Sequence, residues 1–360
     1  MKLTSPNIGG WHFAGLRTFT LLVLSALTAC SPSSEENTSE SSTSVAVDQV
    51  EKLVVYSSRN EQLIKPLFET YTAQTGIEIE FITDKEGPLI QRLKAEGAAT
   101  PADLLLTVDA GNLWFAQQQN LLQPVQSSVL DGAVPDHLRD PDGHWYALSV
   151  RARTIVYHPE RVEETKLSTY EALADDEWKG RLCLRTSKKV YNQSLVAMMI
   201  ATKGEAATEA VVRGWIDNLA APVFSSDTKL IEAIAAGQCD VGIVNTYYLG
   251  RLVAKDPGYP VKLFFANQAT EGVHVNVSGI GVTAESKRVP QAIHLIEWLA
   301  TGEAQEQFAG VNIEFPLLPS TKVADLVAQW GTFKPQLINV SRAGELQTAA
   351  VKLMDRAGYN

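Results

Sequence analysis

Short apolar runs alternate with amphipathic stretches along most of the chain, and this alternation narrows the possible folds more than any other feature. Residues 53–58 (Leu53-Val54-Val55-Tyr56-Ser57-Ser58) read as a strand, and 60–74 as a helix. In that helix Leu63, Ile64, Leu67, Phe68 and Tyr71 recur at helical spacing, and Gly76 supplies the stop. Strands are expected at 77–82 and 102–108, with helices at 88–98 and 112–120. The theme returns with strands at 177–186, 240–245 and 275–283. Helices are expected at 190–202, 206–219, 228–237, 290–301 and 303–308, and one final amphipathic helix at 343–357. Repeated β-α-β units imply an α/β fold built on parallel, doubly wound sheets. Such sheets bind ligands at the carboxyl ends of their strands. The body from about residue 53 to 360 is long enough for two lobes. The expected architecture is therefore two doubly wound lobes flanked by helices, with a ligand cleft between them. The lobes should interleave: 53–150 plus 274–324 in one, 151–273 plus 325–360 in the other.

Composition excludes several function classes. Apolar residues make up 45% and charged residues 20%, as in ordinary soluble globular proteins. The net charge of −10, with no basic stripe to replace counterions, argues against nucleic acid. There is no GxSxG elbow, HExxH helix, Walker loop or dinucleotide fingerprint. Ser278-Gly279-Ile280-Gly281 contains glycine but lacks the strand-loop-helix spacing of a phosphate loop. A cleft without catalytic equipment is built to hold and release, so no enzyme is expected.

The N-terminus points to the cell envelope. Lys2 and Arg17 precede the apolar stretch 19–29, too short to span a bilayer comfortably and laid out like a secretory signal. Leu27-Thr28-Ala29-Cys30 resembles a bacterial lipobox, in which the cysteine is lipidated and becomes the new N-terminus. An ordinary signal peptide with an incidental cysteine is the alternative. Residues 31–52, rich in Ser and Glu, have almost nothing to bury and are expected to form a disordered tether. A flexible chain of about 20 residues has a mean reach of roughly 25 Å. The expectation is a periplasmic body, lipid-anchored to the membrane through Cys30.

Beyond Cys30 only Cys183 and Cys239 remain. In an exported chain an even pair reads first as a disulfide, and both lie in strand-like runs. Two buried free thiols are the alternative. Their spacing has no CxxC character, which argues against zinc or redox catalysis.

Three tyrosines stand out. Tyr247 and Tyr248 follow the apolar run Val241-Gly242-Ile243-Val244, and Tyr191 sits in the polar stretch Lys188-Lys189-Val190-Tyr191-Asn192-Gln193-Ser194. Apolar runs that end in polar aromatics point to strand ends opening onto a cleft. Several phenol oxygens meeting there would suit ferric iron, because hard anionic oxygens favour a small, highly charged cation. A Tyr-Tyr pair taken alone is more often packing than ligation. Tyr56, Tyr146 and Tyr157 lie within strand-like runs and read as structural. His137, His144, His158, His274 and His294 are scattered without ligand spacing, and Asp103 and Asp109 read as caps and turns.

The chain resembles the periplasmic ferric-ion-binding proteins that feed iron ABC importers, especially the tyrosine-rich cyanobacterial type. The resemblance rests on Val55-Tyr56-Ser57-Ser58-Arg59, Pro101-Ala102-Asp103 and Thr107-Val108-Asp109-Ala110-Gly111. It continues through Arg151-Ala152-Arg153, Tyr191-Asn192-Gln193-Ser194, Asn245-Thr246-Tyr247-Tyr248 and Lys352-Leu353-Met354-Asp355-Arg356. It implies capture of Fe(III) by Tyr191, Tyr247 and Tyr248, and delivery to an inner-membrane ABC permease with its ATPase. It also implies a two-lobed monomer that closes on the ion by hinge motion.

One position departs from the family pattern. Relatives commonly place His-Tyr or a lone His near the start of the first helix, where this chain has Asn60 and Glu61. Glu61 offers a hard carboxylate as the fourth ligand, and Asn60 suits a helix cap. Three phenolates and one carboxylate supply four negative charges against three positive ones, so a synergistic anion such as carbonate is optional. Arg59, Arg151 and Arg153 are candidates to hold such an anion or offset the excess charge. The alternative is a binding protein of the same fold for ferrous iron, a polyamine or a phosphorylated organic solute. In the organic case the tyrosines would stack on the ligand or hydrogen-bond it.

Overall fold

The computed structural model describes residues 52–360, Pro319 excepted. The signal segment, Cys30 and all of the tether but its last residue lie outside the described residues. Lys52, expected at the end of that tether, already pairs in the first strand.

The first half of the body follows the strand-helix alternation closely. It comprises β1 (Lys52–Ser57), α1 (Glu61–Thr75), β2 (Glu78–Thr83), α2 (Glu86–Glu96), β3 (Leu104–Thr107), α3 (Ala110–Gln118) and the short α4 (Ser128–Ala133). Helix α1 buries Ile64, Leu67, Phe68 and Tyr71, the face set by their helical spacing. It ends where Gly76 takes the left-handed conformation at φ 74° and its N–H closes on Thr72.

Strand β4 (Tyr146–Tyr157) is buried throughout and leads into the second half. There follow β5 (Leu182–Cys183), α5 (Val190–Lys203), α6 (Glu205–Asp217), α7 (Asp227–Ala235), β6 (Val241–Asn245), α8 (Thr246–Lys255) and β7 (Lys262–Phe264). Strand β8 (Val275–Val282) returns to the first half, followed by α9 (Val289–Leu299) and α10 (Gly302–Asn312). The chain ends with α11 (Asp325–Ala328), α12 (Arg342–Glu345) and α13 (Gln347–Arg356). Among the described residues no helix is long and apolar enough to cross a membrane.

The strands run in the order β2-β1-β3-β8-β4-β6-β5, with β7 on β4. This corrects the expectation of parallel sheets. Pairing is parallel in β2-β1-β3 and β5-β6, but β8 is antiparallel to β3 and β4, and β4 is antiparallel to β6 and β7. The reason is topological: β4 and β8 carry the chain between halves in opposite directions. Strand β4 pairs with β8 from Tyr146 to Ala152, then with β6 from Arg153 to Tyr157. Tyr170 braces this crossing: its hydroxyl donates to the Arg153 carbonyl and accepts from the His274 N–H at 3.1 Å.

Two smaller expectations also change. Residues 177–186 supply only the two-residue β5, because 176–178 form a 3-10 turn. The tail divides at Leu346 into α12 and α13. Gly344 in α12 packs against the Trp114 side chain of α3, where a Cβ would come within 2.8 Å of the Trp114 Cβ and 2.9 Å of its ring. Cys183 and Cys239 are joined by a disulfide. Beside it, Gly242 lets β6 approach β5, since a Cβ there would meet Leu230 at 2.5 Å and the Cys183 carbonyl at 2.9 Å. Ser278-Gly279-Ile280-Gly281 is part of β8.

Candidate functional site

Four helices begin on one cavity of about 700 Å³. Asn60 to Leu63 come from α1, Lys85 and Glu86 from α2, Lys189 and Tyr191 from α5, and Tyr247, Tyr248 and Arg251 from α8. The ends of β1 and β2 add Ser58, Arg59, Thr83 and Asp84, and Val108, Arg151 and Glu314 complete the wall. Helix starts leave N–H groups without intrahelical partners and carry a fractional positive charge, so this arrangement favours anionic groups.

The three tyrosines meet here. Tyr191 is 8% exposed and Tyr247 5%, while Tyr248 is half-buried. The rings of Tyr247 and Tyr248 lie 4.4 Å apart between centroids. Tyr191 and Tyr247 each shift the other's titration, and Asn245 Nδ2 donates to Tyr247 Oη at 3.3 Å. Burial pushes the Tyr191 phenol up to about 12, and the neighbouring Tyr248 adds to that, against the lowering influence of Arg151. Tyr247 is held well above its ordinary range by burial, then by Tyr191 and Tyr248. Adjacent phenols in a buried site resist ionising together because like charges repel there.

Cations surround the rings. The Arg251 guanidinium lies 5.0 Å from the Tyr247 ring and 6.0 Å from that of Tyr248. Lys189 and Arg185 lie 4.8 and 5.7 Å from the Tyr191 ring. Arg151 is buried, donates to the carbonyls of Val108 and Val277, and sits 5.8 Å from the Tyr191 ring. Its fixed charge favours phenolate formation at both Tyr191 and Tyr247.

The remaining sequence candidates separate. Arg59 lines the cavity, but its guanidinium is engaged by Glu314. Asn60 occupies the N-cap position of α1 without a side-chain capping bond, and lines the cavity with the exposed Glu61. Arg153 is absent from the cavity wall and is held by Asp227, Asn192 and Asn245 instead. Because Asn192 adjoins Tyr191 and Asn245 bonds Tyr247, Arg153 braces the tyrosines from behind. Asp109 caps α3 through the Gly111 N–H, and Asp103 accepts from Val54 N–H. His274 is buried and held neutral, its pKa lowered to about 3 by burial and then by Arg153.

Sequence reasoning missed Glu86, Lys189, Arg251 and Glu314. Arg251 was within reach, since it follows Tyr247 by four residues and Tyr248 by three on one helix face. Glu314 carries no local signal; only the fold brings it to Arg59. Among the described residues no three His, Cys, Asp or Glu side chains converge as a metal site would require.

Residues 99–335 match the model of the bacterial extracellular solute-binding proteins. The chain belongs to that family. Its members bind solutes and are not enzymes. The chain is similar to iron uptake protein A1 of Synechocystis sp., 41% identical over 315 residues, 86% of this chain and 88% of that one. Among solved structures it is similar to Trichodesmium IdiA (FutA) in complex with iron and citrate ligands. That match has a TM-score of 0.83 at 41% identity and covers 86% of this chain and 100% of that one. Apo FutA2 from Synechocystis matches with a TM-score of 0.82 at 40% identity, over 87% of this chain and 100% of that one.

Proposed function

We propose that this protein captures ferric iron in the cell envelope and delivers it to an ABC-type iron importer. The observation that carries the reading is the meeting of Tyr191, Tyr247 and Tyr248 on one cavity beside the buried Arg151. Phenolates are hard anionic donors, and Fe(III) is the common biological cation that best offsets the cost of removing their protons. One carboxylate from the first half completes a set of four anionic ligands, with Glu61 among the candidates on the wall. The net excess of one negative charge is offset by Arg151, so a synergistic anion such as carbonate assists without being required. Similarity to iron uptake protein A1 and to a FutA structure with iron and citrate supports the same reading.

Closure of two lobes, 53–150 plus 274–324 against 151–273 plus 325–360, would bring the carboxylate to the tyrosines. The closed form would be read by a membrane permease, its ATPase on the cytoplasmic side. Lipidation at Cys30 would tether the monomer to the membrane.

A second reading has its own support. Lys189, Arg251 and four helix starts on one cavity also suit a phosphorylated organic solute. Colour separates the two. Adding ferric citrate to the apoprotein should give a red-to-orange phenolate-to-iron band at one iron per chain. A colourless protein that binds a sugar phosphate would replace the iron reading with the second.

A further inference from the structure

Four carboxylates line the cavity from outside the tyrosine half, and among the described residues Glu86 is the one that is half-buried without a hydrogen bond or ion pair. Glu314 is buried, but both its oxygens are taken by Arg59 and one also by Ser149. Asp84 is exposed, and its Oδ1 accepts from the Lys85 N–H at 2.7 Å. Glu61 is exposed at the start of α1, where its charge acts on Lys65 one turn along the same helix. Glu86 is half-buried in the first turn of α2 and makes no hydrogen bond or ion pair among the described residues. Its charge is felt by Tyr191 and by the buried Asp109.

Resting on the ferric reading above, we propose that Glu86 is the carboxylate ligand that completes the iron site opposite Tyr191, Tyr247 and Tyr248. In the empty protein the Glu86 charge adds to the cost of ionising Tyr191, because two anions close together repel. A trivalent cation between them turns that repulsion into attraction on both sides. Glu86 thus supplies the hard oxygen that Asn60 at the start of α1 does not.

The test uses the soluble body with competition titrations of ferric iron against citrate, on wild type, Glu86→Gln, Glu61→Gln and Tyr247→Phe. Glu86→Gln should weaken iron binding by at least about tenfold, the scale on which groups around metal sites act. It should keep the visible band, because the phenolates remain, and should lose more affinity than Glu61→Gln. Far-UV circular dichroism checks that each variant is folded. Equal affinity in Glu86→Gln and wild type, or a larger loss in Glu61→Gln, overturns the assignment while leaving the tyrosine site standing. A wild type that takes up no iron, or a Tyr247→Phe variant with an unaltered band, sinks the parent reading and this one with it.

Discussion

Glu314 grips Arg59 with both carboxylate oxygens at 3.1 Å, although the two residues are 255 positions apart. Both are buried, and Ser149 and Ser278 add hydrogen bonds to the pair. Burial by itself would raise the pKa of Glu314, but Arg59 and then Arg151 outweigh it and hold the carboxyl below its ordinary value. Removing one partner strands a buried charge, so Glu314→Ala should lose about 3–5 kcal/mol in denaturant unfolding. A loss under about 1 kcal/mol, the level of an exposed pair, would show that the pair contributes little.

Asp109 links three elements: its carboxylate accepts from Gly111 N–H at 2.8 Å in α3, Ser194 Oγ at 2.9 Å in α5 and Asn276 Nδ2 at 2.7 Å in β8. Burial pushes its pKa up to about 6, against the lowering effects of Ser194, Gly111 and Arg151, and Glu86 adds to the rise. The folded protein therefore holds a proton on Asp109 that the unfolded chain releases at lower pH. Its stabilising contribution is full below the unfolded value and is lost as pH rises through about 6. In thermal melts over that range, the stability of wild type relative to Asp109→Asn should fall as pH rises; a flat difference would reject the titration.

Iron uptake should release protons and weaken in acid. Tyr191, near 12, and Tyr247, well above its usual range, are both protonated at neutral pH. On the proposed ligand set, metal binding displaces both protons, so affinity should fall about a hundredfold per pH unit on acidification. A pH-stat titration with ferric citrate, corrected for the iron source, should record at least about two protons per iron. Release of none would mean that the phenols are not ligands.

Arg151 should matter for affinity as well as for folding. Its charge lowers the cost of ionising Tyr191 and Tyr247, and its guanidinium holds the Val108 and Val277 carbonyls. Arg151→Met should shift the pH midpoint of iron binding upward and cost about 1.5–3 kcal/mol of stability per charged hydrogen bond lost. A variant with an unmoved midpoint would confine Arg151 to a structural role.

The Cys183–Cys239 disulfide closes a loop with a sequence separation of 56 around β5, α5, α6 and α7. On the chain-entropy account a loop of that length is worth about 4 kcal/mol. Changing both cysteines to Ala should lower the melting temperature accordingly. Because β6 leads directly into Tyr247 and Tyr248, the same variant should bind iron more weakly than its folded fraction predicts. Equal stability with and without the bridge would sink this.

Much of the secondary structure was legible because it is local. The apolar spacing of Leu63, Ile64, Leu67, Phe68 and Tyr71 can be buried only by a helix, and Val241 to Val244 reads as a strand before its partners are known. Tyr247 and Tyr248 were visible as polar aromatics at the end of such a run, and Tyr191 as an aromatic in a polar stretch. Strand direction was not legible, because it depends on how β4 and β8 carry the chain between halves. Nor was the commitment of charges. Arg59 and Arg153 looked equally available in the sequence, yet Glu314 claims the first and Asp227, Asn192 and Asn245 hold the second.

Periodicity by itself determined most of the elements, and residue type singled out the three tyrosines, because backbone hydrogen bonding and burial of an apolar face are decided within one or two turns of chain. Only the tertiary structure decided which charges are spent and which remain free. Electrostatic energy depends on distance and burial, and residues as far apart in sequence as Glu86 and Tyr191 acquire a distance only when the chain has folded.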